Sequence, residues 1–174
     1  MSTGKDIILC GTHIPPLVRA FELSEGDVLE LGTGYFSTNI LRWLCEMSGR
    51  TLYSYETGWS WYKIATRKPV PFQKVFKIDS FDDADIDRHW GLVLIDHSPT
   101  RRRIIDIKRL ANMADYIVIH DTNPEHDGVK DDQKKKGYQY SQIWPLFKYK
   151  YDFTKYNPHT TVVSNFFSLE KFYG

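Results

Sequence analysis

The sequence predicts a single doubly wound α/β domain on a mainly parallel sheet, and three observations predict it. Short apolar runs alternate with helical patterns along most of the chain, as in repeated strand–helix–strand crossovers. The run Leu92, Val93, Leu94, Ile95 is apolar without interruption, as expected of a strand covered on both faces. The length, 174 residues, allows one domain over 1–174 with a sizeable core and leaves no room for a second of ordinary size.

The elements follow in order. A short helix is expected over 17–23, after Thr12, His13, Ile14, Pro15 and Pro16. Residues 28–31 form the first strand, and 37–47 a helix with Leu41, Leu44, Cys45 and Ser48 on one face and Gly49 as its stop. Residues 51–55 form a second strand, 58–68 a helix carrying Trp61, Ile64 and Ala65, and 74–78 a third strand. The fourth strand, 92–95, leads to Ser98 and Pro99, a cap with proline in the first turn of a helix reaching Ala111. The fifth strand is 116–119. Runs at 149–156 and 161–169, separated by Asn157, Pro158 and His159, read as an antiparallel pair closing the sheet. Residues 122–139, with Lys130, Lys134, Lys135 and Lys136, read as a solvated loop.

Composition removes several classes of function. The formal net charge of +1 gives no global basic field for nucleic acid. No apolar run approaches the roughly 20 residues that span a bilayer. The apolar part of residues 1–16 is too short for a secretory signal. Cys10 and Cys45 are too few for a disulfide framework and suit a reducing, cytoplasmic setting as small core residues.

The most informative segment runs from Val28 to Thr38: a buried strand, then Gly32, Thr33 and Gly34, then a helix. Glycines there let the backbone bend tightly, and the N–H groups of the helix start face whatever binds. A dinucleotide fingerprint needs glycine at position 37, where this chain has Ser37. Glu30, two residues before the first glycine, suits a cationic amino-acid group better than a pyrophosphate. A nicotinamide-linked oxidoreductase is therefore the weaker alternative. On Glu30, Gly32 and Gly34 the chain resembles the class I S-adenosylmethionine-dependent methyltransferases, with Phe36 where their third glycine is usual and Ser37-Thr38 matching a variant among smaller members.

The resemblance implies a Rossmann-like seven-stranded sheet of order 3-2-1-4-5-7-6 with strand 7 antiparallel. It also implies S-adenosylmethionine as cofactor and methyl transfer to a small or medium acceptor, at a hydroxyl. Glu56, ending the second strand 22 residues after Gly34, takes the ribose hydroxyls on this reading. Asp79, ending the third strand, faces the adenine, with Ile78 or Phe81 packing on it; Thr12 or His13 covers the methionine end.

Two polar clusters follow the fourth and fifth strands, Asp96-His97-Ser98-Pro99 and His120-Asp121-Thr122-Asn123. Adjacent strands would bring Asp96 and Asp121 together, and the resemblance implies that Asp96 also contacts the acceptor or the cofactor's amino group. His97, His120 and Asp121 are the candidates for catalysis, a histidine serving as base. The resemblance to small-molecule O-methyltransferases further implies a Mg²⁺ set of Asp96, His120 and Asp121, from which His120 departs because Mg²⁺ prefers oxygen. Arg101, Arg102, Arg103, Lys108 and Arg109 read as a solvated basic helix face; with Lys134–Lys136, Tyr138, Tyr140 and Trp144 they are the feature an RNA-directed module would use. Only the N-terminal segment and residues 122–139 remain to shape an acceptor site, which suggests an open cleft or a wall borrowed from a second subunit in a homodimer.

Overall fold

A computed structural model describes residues 11–124 and 138–174. Its seven strands are β1 (Val28–Leu31), β2 (Leu52–Glu56), β3 (Gln73–Lys77), β4 (Trp90–Ile95), β5 (Ala114–His120), β6 (Tyr149–Phe153) and β7 (Thr160–Ser164). They pair in the order β3-β2-β1-β4-β5-β7-β6. The first five are parallel to one another, and β7 runs antiparallel to both β5 and β6. This is the order the resemblance implies. Among the described residues four α-helices accompany the strands: α1 (Ile14–Leu23), α2 (Ser37–Ser48), α3 (Trp59–Thr66) and α4 (Arg103–Leu110). Among the described residues, no helix is long and apolar enough to cross a membrane.

Strand alternation divides the core between two faces. Leu29, Leu31, Val93, Ile95, Ile117 and Ile119 pack with Ile104, Ile107 and Leu110 of α4 and with Phe81, Trp90 and Tyr140. Val28, Leu92, Leu94 and Val118 pack on the other face with Leu17 and Ala20 of α1 and Leu41 and Cys45 of α2. Every residue of β4 is buried, as its unbroken apolar run requires. Burial pushes the Cys45 thiol up to about 12, so it packs as a small hydrophobe. Cys10 lies outside the described residues.

Element boundaries move for physical reasons. α1 starts at Ile14 rather than Leu17, because Pro15 and Pro16 fit a first turn whose N–H groups have no helical partner. The helix expected from Ser98 begins only at Arg103. Pro99 is extended, and a short 3₁₀ turn over Thr100–Arg102 intervenes. β7 stops at Ser164, short of Leu169, because the Ser164 hydroxyl accepts hydrogen bonds from the N–H groups of Phe166 and Phe167 and turns the chain. Of the loop expected over 122–139, residues 125–137, with Lys130 and Lys134–Lys136, lie outside the described residues.

One close contact fixes the start of β4. A Cβ on Gly91 would stand 1.6 Å from the carbonyl oxygen of Glu25, in the turn before β1. Backbone cannot give way as a side-chain tip can, so Gly91→Ala is expected to cost about 3 kcal/mol, or roughly 6–12 °C in melting temperature. Thermal denaturation followed by circular dichroism checks this; an unchanged midpoint would mean that the two segments are not in register as described.

Candidate active site at the strand ends

In an open α/β sheet the ligand crevice lies beyond the carboxyl ends of the strands, where the strand order reverses. Here that point falls between β1 and β4, and the glycine turn meets the end of β4 there. Gly32 has φ +90°, and a Cβ on it would stand 2.6 Å from His97 Cα and 2.8 Å from the Asp96 carbonyl oxygen. The first glycine is thus demanded twice by the protein's own backbone, by its left-handed conformation and by the passage of β4. Gly34 has no such conformation, and a Cβ there would meet only the Ser37 hydroxyl, at 3.2 Å.

Two carboxylates hold this turn, one from each side. Glu56 closes β2 and is 6% exposed. Its Oε2 accepts from the Thr33 N–H at 2.8 Å and the Thr33 hydroxyl at 3.0 Å, and its Oε1 from the Gly58 N–H at 2.6 Å. Glu30 lies beneath the turn, fully buried. It accepts from the Thr38 hydroxyl at 2.9 Å and from the Ser54 hydroxyl at 2.7 Å on the facing strand. The Thr38 hydroxyl in turn accepts from the Gly34 N–H at 2.9 Å, so the charge of Glu30 reaches the turn through a hydroxyl. Burial pushes the Glu30 carboxyl up to about 7 against the pull of these hydroxyls. Thr33, Thr38 and Ser54 complete this half of the site, and sequence reasoning did not single them out; only the Ser37-Thr38 variant pointed near them.

The other half is organised by a residue that sequence reasoning placed on a solvated face. The arginine run divides: Arg101 is exposed, whereas Arg103 is 3% exposed and reaches under the ends of β4 and β5. Its Nε donates to the His97 carbonyl at 2.7 Å and one terminal nitrogen to the His120 carbonyl at 3.0 Å. The guanidinium also lies 3.0 Å from Asp96 Oδ1 and 3.3 Å from Asp121 Oδ2, with the Tyr140 hydroxyl at 3.4 Å. Burial works against its charge, but Tyr140, Asp96 and Asp121 more than offset this and raise the guanidinium pKa. Arg102 pairs with Asp82 and Asp106 on the α4 side.

Asp96, Asp121 and His120 are therefore brought together. His120 Nδ1 lies 3.2 Å from Asp96 Oδ2 and 3.7 Å from Asp121 Oδ1, near enough for ion pairing but outside hydrogen-bond alignment. Its Nε2 stands 3.0 Å from the Thr12 hydroxyl. Burial resists ionisation of Asp96, yet His120 and Arg103 beside it hold its carboxyl below the usual range. Asp121 takes a left-handed conformation, φ 59°, which aspartate tolerates and which turns its carboxylate toward Arg103. His13, from the turn before α1, is packed edge-on against His120 with ring centroids 4.6 Å apart. Burial, and then His120, lowers its pKa to about 4.

Two expected site residues stand apart. The His97 side chain has no exposure; it stacks on Phe81 and lies 3.1 Å from Asp106 Oδ2 on the α4 face, and burial lowers its pKa. Buried on the α4 side just past the end of β4, it has no path to an acceptor. Asp79 is fully exposed after β3, 3.5 Å from the Lys77 ammonium. The Mg²⁺ set of Asp96, His120 and Asp121 also fails on its chemistry. Arg103 already occupies an oxygen of each acid, and the remaining neighbours are imidazoles, which suit Mg²⁺ poorly.

Between pH 4.5 and about 7 the folded state holds a proton on Glu30 that the unfolded chain has lost, so stability falls as pH rises through that window, by about 3 kcal/mol. Urea denaturation across this range should show the fall in the wild type and a flatter profile in Glu30→Gln; parallel profiles would remove Glu30 as its source. Arg103→Met leaves the quarter-exposed carboxylates of Asp96 and Asp121 side by side without a counter-charge and the His97 and His120 carbonyls without their donor, and is expected to cost about 2–4 kcal/mol in the same assay, with Arg103→Lys between it and wild type. A loss under 1 kcal/mol would refute the organising role.

Comparison with known proteins is informative at the level of structure. No protein-family model matches the chain, and no curated protein sequence matches it. The O-methyltransferase TomG of Streptomyces achromogenes, involved in tomaymycin synthesis and solved with S-adenosylmethionine, is similar with a TM-score of 0.61 at 14% identity, over 90% of this chain and 78% of its own. The plantazolicin methyltransferase BpumL, solved with S-adenosylhomocysteine, gives 0.56 at 12% identity over 94% of this chain and 91% of its own. Spermidine synthase of Thermotoga maritima gives 0.65 at 13% identity over 94% of this chain, which spans only 62% of that enzyme's length. At these identities the likeness is one of fold, and the fold is that of the class I S-adenosylmethionine-dependent methyltransferases.

Proposed function

We propose that the protein is an S-adenosylmethionine-dependent methyltransferase acting on a hydroxyl of a small or medium acceptor. The observation that carries this reading is Glu56. An acid at the end of β2 is held against the glycine turn of β1, one strand from the point where the sheet order reverses, and a carboxylate there can grip a ribose diol. Of its roughly four acceptor positions, three are in use, so a ribose must displace the Thr33 hydroxyl to be held at both oxygens.

The remaining assignments are consistent with this seat. Gly32 and Gly34 let the cofactor approach the backbone, and Glu30 supports the turn from beneath rather than touching the ligand. Asp79, exposed beyond β3 and apart from the buried groups, is the acceptor we assign to the adenine amino group. The acceptor side lies over β4 and β5, with Asp96 between the two halves. Methyl transfer from a sulfonium asks the protein to align the acceptor and remove its proton. Asp121, whose side chain is a quarter exposed, is the group for that proton, and His120, fixed by the Thr12 hydroxyl beside Asp96, is a positioning residue. A small acceptor is favoured over a nucleic acid because two of the three arginines in the basic run are spent on internal ion pairs.

Calorimetric titration with S-adenosylmethionine tests the reading. Binding by the wild type is expected, with a loss of roughly 30-fold in Glu56→Ala, the equivalent of about 2 kcal/mol for charge-assisted hydrogen bonds. Asp121→Asn, on the acceptor side, should bind within about twofold of wild type. Failure of the wild type to bind, or tighter binding of a nicotinamide dinucleotide, would overturn the proposal.

A further inference from the structure

His13 is buried to 2% exposure, and neither of its ring nitrogens has a hydrogen-bond partner. A neutral imidazole carries one N–H donor and one lone pair, and leaving such groups buried and unpaired is unfavourable. One ligand atom each from His13, Asp96 and His120 lie within 4.8 Å of one another, the one such set of histidine, cysteine, aspartate and glutamate side chains among the described residues.

The surroundings leave one atom of each partner free for shared use. Asp96 Oδ1 is taken by Arg103, and Oδ2 is the oxygen nearer His120. The Thr12 hydroxyl sits on His120 Nε2, which fixes that ring and leaves Nδ1 on the Asp96 side without an aligned partner. An orienting hydrogen bond on the far nitrogen is what a ligating histidine usually has. Charge points the same way, since Asp96 and Asp121 together outweigh the single guanidinium between them. Neighbouring ligand atoms on a tetrahedral first-row ion stand about 3.3 Å apart; His120 Nδ1 and Asp96 Oδ2 already lie at 3.2 Å, and His13 has to close on them from within 4.8 Å.

We propose that His13, Asp96 and His120 bind one divalent transition-metal ion of the Zn²⁺, Co²⁺ or Fe²⁺ kind. Two imidazoles and one carboxylate are a donor set that borderline ions prefer and Mg²⁺ does not. The ion ties the turn before α1 to the ends of β4 and β5 and gives the unpaired ring of His13 its partner.

The test is titration of chelator-treated, full-length protein with Co²⁺, followed by visible absorption and thermal melting. One equivalent per chain is expected, with d–d bands, a raised melting temperature and no displacement by an equal concentration of Mg²⁺. His13→Asn should weaken binding at least about tenfold, whereas His89→Asn, at an exposed histidine paired with Asp115, should not. Absence of Co²⁺ binding by the wild type, equal binding by His13→Asn, or displacement by Mg²⁺ would overturn the proposal. Should His13→Asn not fold, the paramagnetically shifted proton spectrum of the wild-type Co²⁺ complex decides. Two ligating imidazoles support the site, and one or none overturns it. The measurement involves no S-adenosylmethionine, so its failure is separate from failure of the cofactor reading.

Discussion

A single buried guanidinium sets the geometry of half the cleft. Parallel pairing of β4 with β5 places Ile95 level with Ile119, so the next residues, Asp96 and His120, emerge side by side with Asp121 following. Left alone, two acids at neighbouring strand ends would repel and the backbone carbonyls beneath them would lack donors. Arg103 meets all of these at once, because its planar fork has five N–H donors that can serve carbonyls and carboxylates together. The late start of α4 follows from the same contact. The chain leaves β4 through an extended Pro99 and one 3₁₀ turn, and this brings Arg103 beneath the strand ends at the head of the helix.

The other half is built without any cation. Glu56 and Glu30 hold the glycine turn through N–H groups and hydroxyls alone, with Thr33, Thr38 and Ser54 as intermediaries. That difference matters for function. A carboxylate satisfied by a neutral threonine hydroxyl can exchange it for a ribose hydroxyl at little cost, whereas one paired to a buried arginine cannot exchange its partner cheaply. On the proposed reading the cofactor therefore enters where the acids are held by hydroxyls, and the acceptor side stays rigid where they are held by charge. Gly32 joins the two halves, since only a residue without a Cβ lets the turn pass the end of β4.

The sheet was legible because its signals are local: apolar runs, glycine stops and the Asn157-Pro158 turn all act within a few residues. Glu56 was legible too, since its position at a strand end follows from the strand itself. Arg103 was not, because neighbours in the same run look alike until the helix phase is known. A delay of a few residues in the start of α4 separates an arginine in solvent from one beneath two strands. His13 was hidden for a related reason: a lone histidine before a short helix has no visible partner until topology brings residue 120 beside it. His97 went astray through alternation, since it follows Asp96 and so faces the opposite side of the sheet, toward Asp106.

On the proposed reading the cofactor seat lies at the ends of β1 and β2, and a crystal structure with S-adenosylhomocysteine bound would show whether it does. Both ribose hydroxyls are expected on Glu56, with the Thr33 hydroxyl displaced from Oε2 and Arg103 unmoved between Asp96 and Asp121. A ligand bound elsewhere, or one at the glycine turn with Glu56 still closed on Thr33 and the ribose held by other groups, would contradict it.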